Sequence, residues 1–231
     1  MTSVQGARAR ARAEITATIK DEARRQLAAD GAAKLSLRAV AREVGMVSSA
    51  LYRYFPSRDD LLTALIVDAY DAVGEAAETA LAAAPKTDHP ARWTAVCRAV
   101  RAWALAHPHE YALIYGSPVP GYSAPQDTIG PASRVGLVLI GILRDAYTTD
   151  RVSLPPLDDR LRPEAERLAA DLATDLPPAV VVTLVAVWAQ LFGTISFEVF
   201  GQFHRIVEDR DAFFDDVAAR LGREAGLLPR R

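Results

Sequence analysis

Apolar residues recur every three to four positions along most of this 231-residue chain, which is the period of helices that bury one face. Proline and glycine interrupt the pattern at intervals that separate helices of ordinary length. The pattern predicts an all-α fold, with helices over residues 14–30, 36–44, 48–55, 59–84, 91–106, 111–115, 130–147, 163–171, 178–207 and 211–225.

Two short helices joined by a tight glycine turn form the most informative segment. Ser36 is a good N-cap for the first of them, and Gly45 ends it because glycine tolerates the left-handed conformation of a sharp stop. The second helix begins at Ser48 and runs to Phe55, where Pro56 breaks it. We therefore predict a helix-turn-helix in this part of the chain.

The second of these helices has two unlike faces. Leu51 and Phe55 share one face, whereas Ser49, Tyr52 and Arg53 project from the opposite arc. Hydroxyl, phenol and guanidinium groups bind phosphates and base edges, and a helix fits the major groove. The pattern thus favours DNA binding, although an ordinary helical hairpin with a solvated face has the same spacing.

The same residues resemble the DNA-binding signature of TetR-type bacterial repressors. The resemblance rests on Ala41-Arg42-Glu43-Val44-Gly45, Leu51-Tyr52, Tyr54-Phe55-Pro56-Ser57-Arg58 and Leu61-Leu62. It implies base or groove positions for Ser48, Ser49, Ala50 and Tyr52. It further implies DNA backbone contacts for Arg53, Tyr54 and Arg58, with Arg38 close to the DNA. Arg58 stands where lysine is usual in the family, but it keeps the needed donor.

The charge distribution agrees with a separate DNA-reading module. Residues 1–58 contain eleven Lys or Arg against five Asp or Glu, a balance of +6, although the whole chain has a net charge of −2. We therefore predict a helix-turn-helix DNA-binding domain over 1–58 and a larger helical domain over 59–231. Arg8, Arg10 and Arg12 form an arm before the first helix that either follows DNA phosphates or is a solvated tail.

A second resemblance concerns the C-terminal part. Trp103, His107-Pro108 and Tyr115-Gly116 resemble a C-terminal domain type of TetR-like regulators that is named for its Trp, His and Gly. Aromatic residues at helical spacing predict a pocket for a largely apolar small-molecule effector, or else simply fill a core. The predicted pocket residues are Trp93, Cys97, Trp103, His107, Tyr111 and Tyr115.

Residues 176–197 contain no charge over a length that could span a membrane. Two prolines open this stretch, polar residues dilute it, and Glu198 follows without basic anchors. We therefore prefer a buried helix that pairs with the last helix in a four-helix homodimer interface, without membrane insertion. The predicted interface residues are Trp188, Phe192, Gly193, Ser196, Phe200, Phe214 and Val217.

Signs of catalytic or metal chemistry are weak. His107 and His109 lack a nearby Cys or Asp at ligand spacing, and no phosphate loop or nucleophile elbow is present. The single cysteine, Cys97, rules out an intrachain disulfide and fits a reducing cytoplasm. We predict no enzyme activity, no metal and no cofactor.

Together these features predict a cytoplasmic, homodimeric transcriptional repressor. It would bind a palindromic double-stranded DNA operator and release it when a small apolar effector binds. Two alternatives remain at this point. One is a helical small-molecule-binding protein or enzyme that retains an idle DNA-binding motif, and the other is a membrane-attached sensor that uses residues 176–197.

Overall fold

The computed structural model describes residues 2–228, and side chains from residue 6 onward. It confirms the all-α prediction, since this range contains helices, turns and one isolated bridge between Val152 and Leu227 but no strand. The α-helices are α1 Thr2–Asp30, α2 Leu37–Glu43, α3 Ser48–Leu51, α4 Arg58–Ala83, α5 His89–Ala106, α6 Pro108–Tyr115, α7 Ile129–Thr148, α8 Arg162–Leu172, α9 Pro178–Val199 and α10 Arg210–Glu224.

Three predicted boundaries were wrong. The arginine arm is not a separate tail, because α1 already begins at Thr2 and alanine and arginine are strong helix formers. The α-helical part of the second motif helix ends at Leu51, and turns carry the chain from there to Phe55. Helix α9 ends at Val199, since Gly201 adopts a φ of +77° that helical residues do not adopt.

The described chain divides into two compact units. The first unit comprises the residues up to Tyr70 together with His107–Pro131, and the second comprises Asp71–Ala106 together with the residues from Ala132 onward. Helix α4 therefore contributes its first half to one unit and its second half to the other. The domain boundary predicted after residue 58 stays a prediction.

In the first unit, α1 to α3 and the start of α4 bury one hydrophobic core. Its largest fully buried side chains include Ile19, Leu51, Leu61 and Leu62. Residues from α6 and the loop after it pack against the same core, namely Leu113, Val119 and Tyr122. The fold thus brings a segment far along the sequence into the unit that carries the helix-turn-helix.

Polar contacts reinforce this attachment. The Tyr122 hydroxyl lies 2.9 Å from the hydroxyl of Thr63 on α4. The Arg24 guanidinium of α1 lies 3.0 Å from the carboxylate of Glu110 on α6. Segment 107–131 is therefore held in the first unit by both apolar packing and hydrogen bonds.

In the second unit, α5 lies against α9 and α10. The Trp93 indole donates a 3.0 Å hydrogen bond to the carbonyl of Ala218, and both residues are buried. Arg101 donates two hydrogen bonds of 2.7 Å to Glu198, which is itself buried. These hydrogen bonds to Glu198 hold the pKa of Arg101 above its usual value. The Arg101 guanidinium also lies 5.0 Å above the ring of Phe214, so one cation joins three helices.

We predict that Glu198→Ala lowers the free energy of unfolding by about 2 kcal/mol, because the half-buried Arg101 cation loses its main partner and keeps only the exposed Asp211 carboxylate, 2.8 Å away. Glu164→Ala is the matched control, since it breaks an exposed ion pair with Arg167 and should change little. Urea unfolding at one protein concentration measures both. Equal stability of the two variants would contradict this role of the Arg101–Glu198 pair.

Candidate nucleic-acid interface

Local signals in the sequence build the helix-turn-helix. The Ser36 hydroxyl accepts a hydrogen bond from the backbone N–H of Ala39, as expected of an N-cap. Gly45 has a φ of +69°, and the N–H of Met46 then closes the end of α2 by bonding to the carbonyl of Ala41. Helix α3 follows directly, with Leu51 fully buried in the core beneath it.

The opposite side of α3 faces solvent. Ser49, Tyr52 and Arg53 are exposed, Tyr52 by 42%, and Arg38 on α2 is exposed as well. Ser48, Ala50 and Tyr54 are half-buried. The structure thus brings the predicted DNA-contacting residues together at α2, α3 and the turns that follow. Hydroxyl, phenol and guanidinium donors converge there, which is the chemistry that phosphates and base edges require.

Arg12 on α1 supports the end of this element. Its guanidinium donates a 3.1 Å hydrogen bond to the carbonyl of Arg53 and lies 4.9 Å from the ring centroid of Tyr54. Sequence reasoning placed Arg12 in an arm, either on DNA phosphates or in a solvated tail, and missed this contact. The contact depends on tertiary packing between residues 41 positions apart, which periodicity does not reveal.

Arg58 is only half-exposed, and one of its guanidinium nitrogens donates a 3.1 Å hydrogen bond to the carbonyl of Ala32. The residue therefore already ties the start of α4 to the turn after α1. Its predicted phosphate contact stays a prediction, and a substitution there would disturb this link in addition to removing charge. Arg38 and Arg53 are better probes of DNA binding for that reason.

The predicted effector residues are divided between the two units. Trp93, Cys97 and Trp103 lie in the second unit and are buried, whereas Tyr111 is buried in the first unit with Tyr115 beside it. Burial raises the pKa of the Cys97 thiol to about 12, and burial beside Tyr70 and Tyr111 raises the pKa of Tyr115.

His107, the remaining predicted effector residue, is exposed at the start of α6. Three of the six residues thus belong to each unit. Their role in a pocket stays a prediction.

The predicted dimer residues differ in exposure, and their role in an interface stays a prediction. Phe214 is only 1% exposed and packs inside its own protomer beneath Arg101. Phe192 is also buried, and Ser196 and Val217 are half-buried. Trp188, Gly193 and Phe200 are exposed, as an interface requires.

Three further exposed apolar residues were missed, namely Val185, Phe197 and Ile206. Phe213, which the apolar spacing of the last helix also offers to the predicted interface, is exposed. Helical periodicity does not distinguish Phe213, which is exposed, from Phe214, which is buried beneath Arg101.

Two further observations concern other site types. Within residues 2–228, no three His, Cys, Asp or Glu side chains are grouped so that they could hold a metal ion. Helix α9 is the one described helix long and apolar enough to cross a membrane, and core helices of soluble proteins also meet that criterion.

The chain combines a helix-turn-helix that has an exposed polar face with a larger helical part. This combination is typical of DNA-binding regulators. Residues 19–65 match the family described as bacterial regulatory proteins, tetR family, and residues 93–221 match the tetracyclin repressor-like C-terminal domain. The chain belongs to the TetR family of transcriptional regulators.

Relatives and solved structures agree with this assignment. The HTH-type transcriptional regulators Mb1846 of Mycobacterium bovis and Rv1816 of Mycobacterium tuberculosis are each 44% identical to this chain over 209 residues, which is 86% of either sequence. The crystal structure of the regulatory protein SCO4313 is 33% identical, with a TM-score of 0.74 over 92% of this chain and 97% of that one. The TetR family regulator PfmR of Thermus thermophilus is 18% identical, with a TM-score of 0.57 over 92% of this chain and 99% of that one, and shares the fold.

Proposed function

We propose that this regulator is a cytoplasmic homodimeric repressor that binds a palindromic operator and releases it when a small apolar effector binds. The exposed face of α3, with Ser49, Tyr52 and Arg53 on a scaffold held by Leu51, is the observation that carries the proposal. The protein acts by binding rather than by catalysis. Its lone thiol, Cys97, is buried and suits a reducing compartment.

Electrostatics support the DNA-binding part. Each cation that neutralises a phosphate releases counterions, so binding strength falls as salt rises. Arg38 on α2 and Arg53 in the turn after α3 are exposed cations. They would set the protein on the DNA backbone, while the hydroxyls of α3 read base edges.

Apolar surface in the second unit supports the homodimer. Trp188, Phe197, Phe200 and Ile206 leave large apolar areas in water, with Phe200 44% and Ile206 75% exposed. Large apolar side chains exposed in this number are costly in an isolated protomer and are typical of an interface. A two-fold dimer would present two copies of α3 to half-sites about 34–36 Å apart, which explains the expected palindrome.

The packing of segment 107–131 supports a route for effector release. Helix α4 runs through both units, and residues 107–131 pack against the core beneath the helix-turn-helix. An effector that prefers one arrangement of these elements would lower operator affinity by its differential binding free energy. Trp93 and Trp103, which lie in the second unit, remain proposed apolar residues of its site.

Selection from random duplex DNA, followed by binding curves at several salt concentrations, tests operator binding. We expect one palindromic sequence to be enriched. Arg53→Ala should weaken binding to all sequences and reduce the slope of log affinity against log salt by about one. Arg160→Ala removes the same charge at an exposed position of the second unit and should keep the parent slope. Failure to enrich any sequence would refute operator binding.

Sedimentation of Gly193→Arg tests the homodimer. A Cβ atom at Gly193 would have open space around it, and the residue is exposed, so the variant should fold. We expect monomers with native helical content and at least tenfold weaker operator affinity, because each half loses its partner. Gly130→Arg is the control, since that position is equally open. A Gly193→Arg protein that stays dimeric would place the interface elsewhere.

A further inference from the structure

Val47 stands at the start of the DNA-reading helix and is exposed to an unusual degree. It is the N-cap residue of α3, immediately before Ser48, and 71% of its surface is accessible to solvent. Isolated exposed valines are common on protein surfaces and need no explanation. Val47 differs because it sits at the N-terminal end of the reading helix, which is the end that reaches base edges in helix-turn-helix proteins.

Neither of the usual structural reasons accounts for a valine here. The core does not require it, since the side chain lies outside the core that Leu51 enters. The helix start does not favour it either, because an N-cap prefers Ser, Thr, Asp or Asn, and Val47 makes no side-chain capping bond. A serine at this position would suit the isolated protein better.

The position of Val47 is nevertheless well defined. Its carbonyl accepts hydrogen bonds from the N–H groups of Ala50, at 2.9 Å, and Leu51, at 3.3 Å. Leu51 is fully buried, so the first turn of α3 is anchored to the core. A β-branched side chain also has few rotamers. The two methyl groups of Val47 therefore point into solvent in a nearly fixed direction. The side chain would lose little conformational entropy when it makes a contact.

We propose that Val47 packs against the C5-methyl group of a thymine in the operator and so selects thymine at one position of each half-site. The major groove displays hydrogen-bonding groups and a single kind of apolar group, which is this methyl. The neighbouring hydroxyls of Ser48 and Ser49 can bond to several bases and discriminate less sharply. This inference rests on the proposed operator binding.

Replacement of thymine by uracil tests the contact, because uracil lacks only the methyl group. Each thymine of the selected operator is replaced in turn, symmetrically in both half-sites, and affinity for the full-length protein is measured at constant salt. At one position we expect the affinity of the parent protein for the operator to fall about fourfold per half-site. This is the effect on a binding constant of losing one buried methyl-sized group. Val47→Ala keeps only its Cβ methyl, which reaches less far, so it should distinguish thymine from uracil at that position less than the parent does.

Two further variants separate the methyl contact from helix capping. Val47→Thr and Val47→Ser both supply a capping hydroxyl, but only threonine keeps a methyl group. We expect Val47→Thr to retain a preference for thymine over uracil and Val47→Ser to lose it. If capping alone mattered, the two variants would bind alike.

The outcomes distinguish this inference from the proposed function. An enriched operator that the parent binds equally well with uracil at every position overturns the role of Val47 and leaves operator binding intact. An enriched operator without thymine in its half-sites likewise overturns the role of Val47 and leaves operator binding intact. If no sequence is enriched at all, operator binding itself fails, and the inference fails with it.

Discussion

The packing of segment 107–131 onto the core of the first unit is the contact on which the rest of the account depends. Val119 and Tyr122 pack against the core that holds Leu51, and the Tyr122 hydroxyl lies 2.9 Å from the hydroxyl of Thr63 on α4. After the helix-turn-helix, the chain enters the second unit with the second half of α4 and then α5. It returns to the first unit at His107. Because protein cores are tightly packed and transmit strain, a shift of this segment would alter the packing beneath α3.

Helix α3 needs such support because it has only four α-helical residues. A helix this short is not stable by itself in water, so its geometry comes from tertiary contacts. Leu51 and Phe55 hold it from below, and Arg12 holds the turn after it through the carbonyl of Arg53. The polar residues and Val47 are consequently presented on a rigid base, which is what discrimination between base pairs requires.

Local chemistry explains which features the sequence could predict. The cap at Ser36, the turn at Gly45 and the apolar spacing of the long helices depend on neighbours within a few residues, and these predictions were confirmed by the fold. Features that depend on distant residues were missed. Phe214 is buried beneath Arg101 of α5, and segment 107–131 contacts α1 and α4. The DNA, effector and dimer contacts depend on partners that the chain alone does not contain.

Amide hydrogen exchange with and without the selected operator tests the central claim most directly, since it reports local stability segment by segment. If the 107–131 segment shares a cooperative core with the reading helix, operator binding should slow exchange in 107–131 together with residues 36–58. Nonspecific DNA at the same concentration is the control and should protect both regions less. Protection confined to residues 36–58, with unchanged exchange in 107–131, would contradict the account.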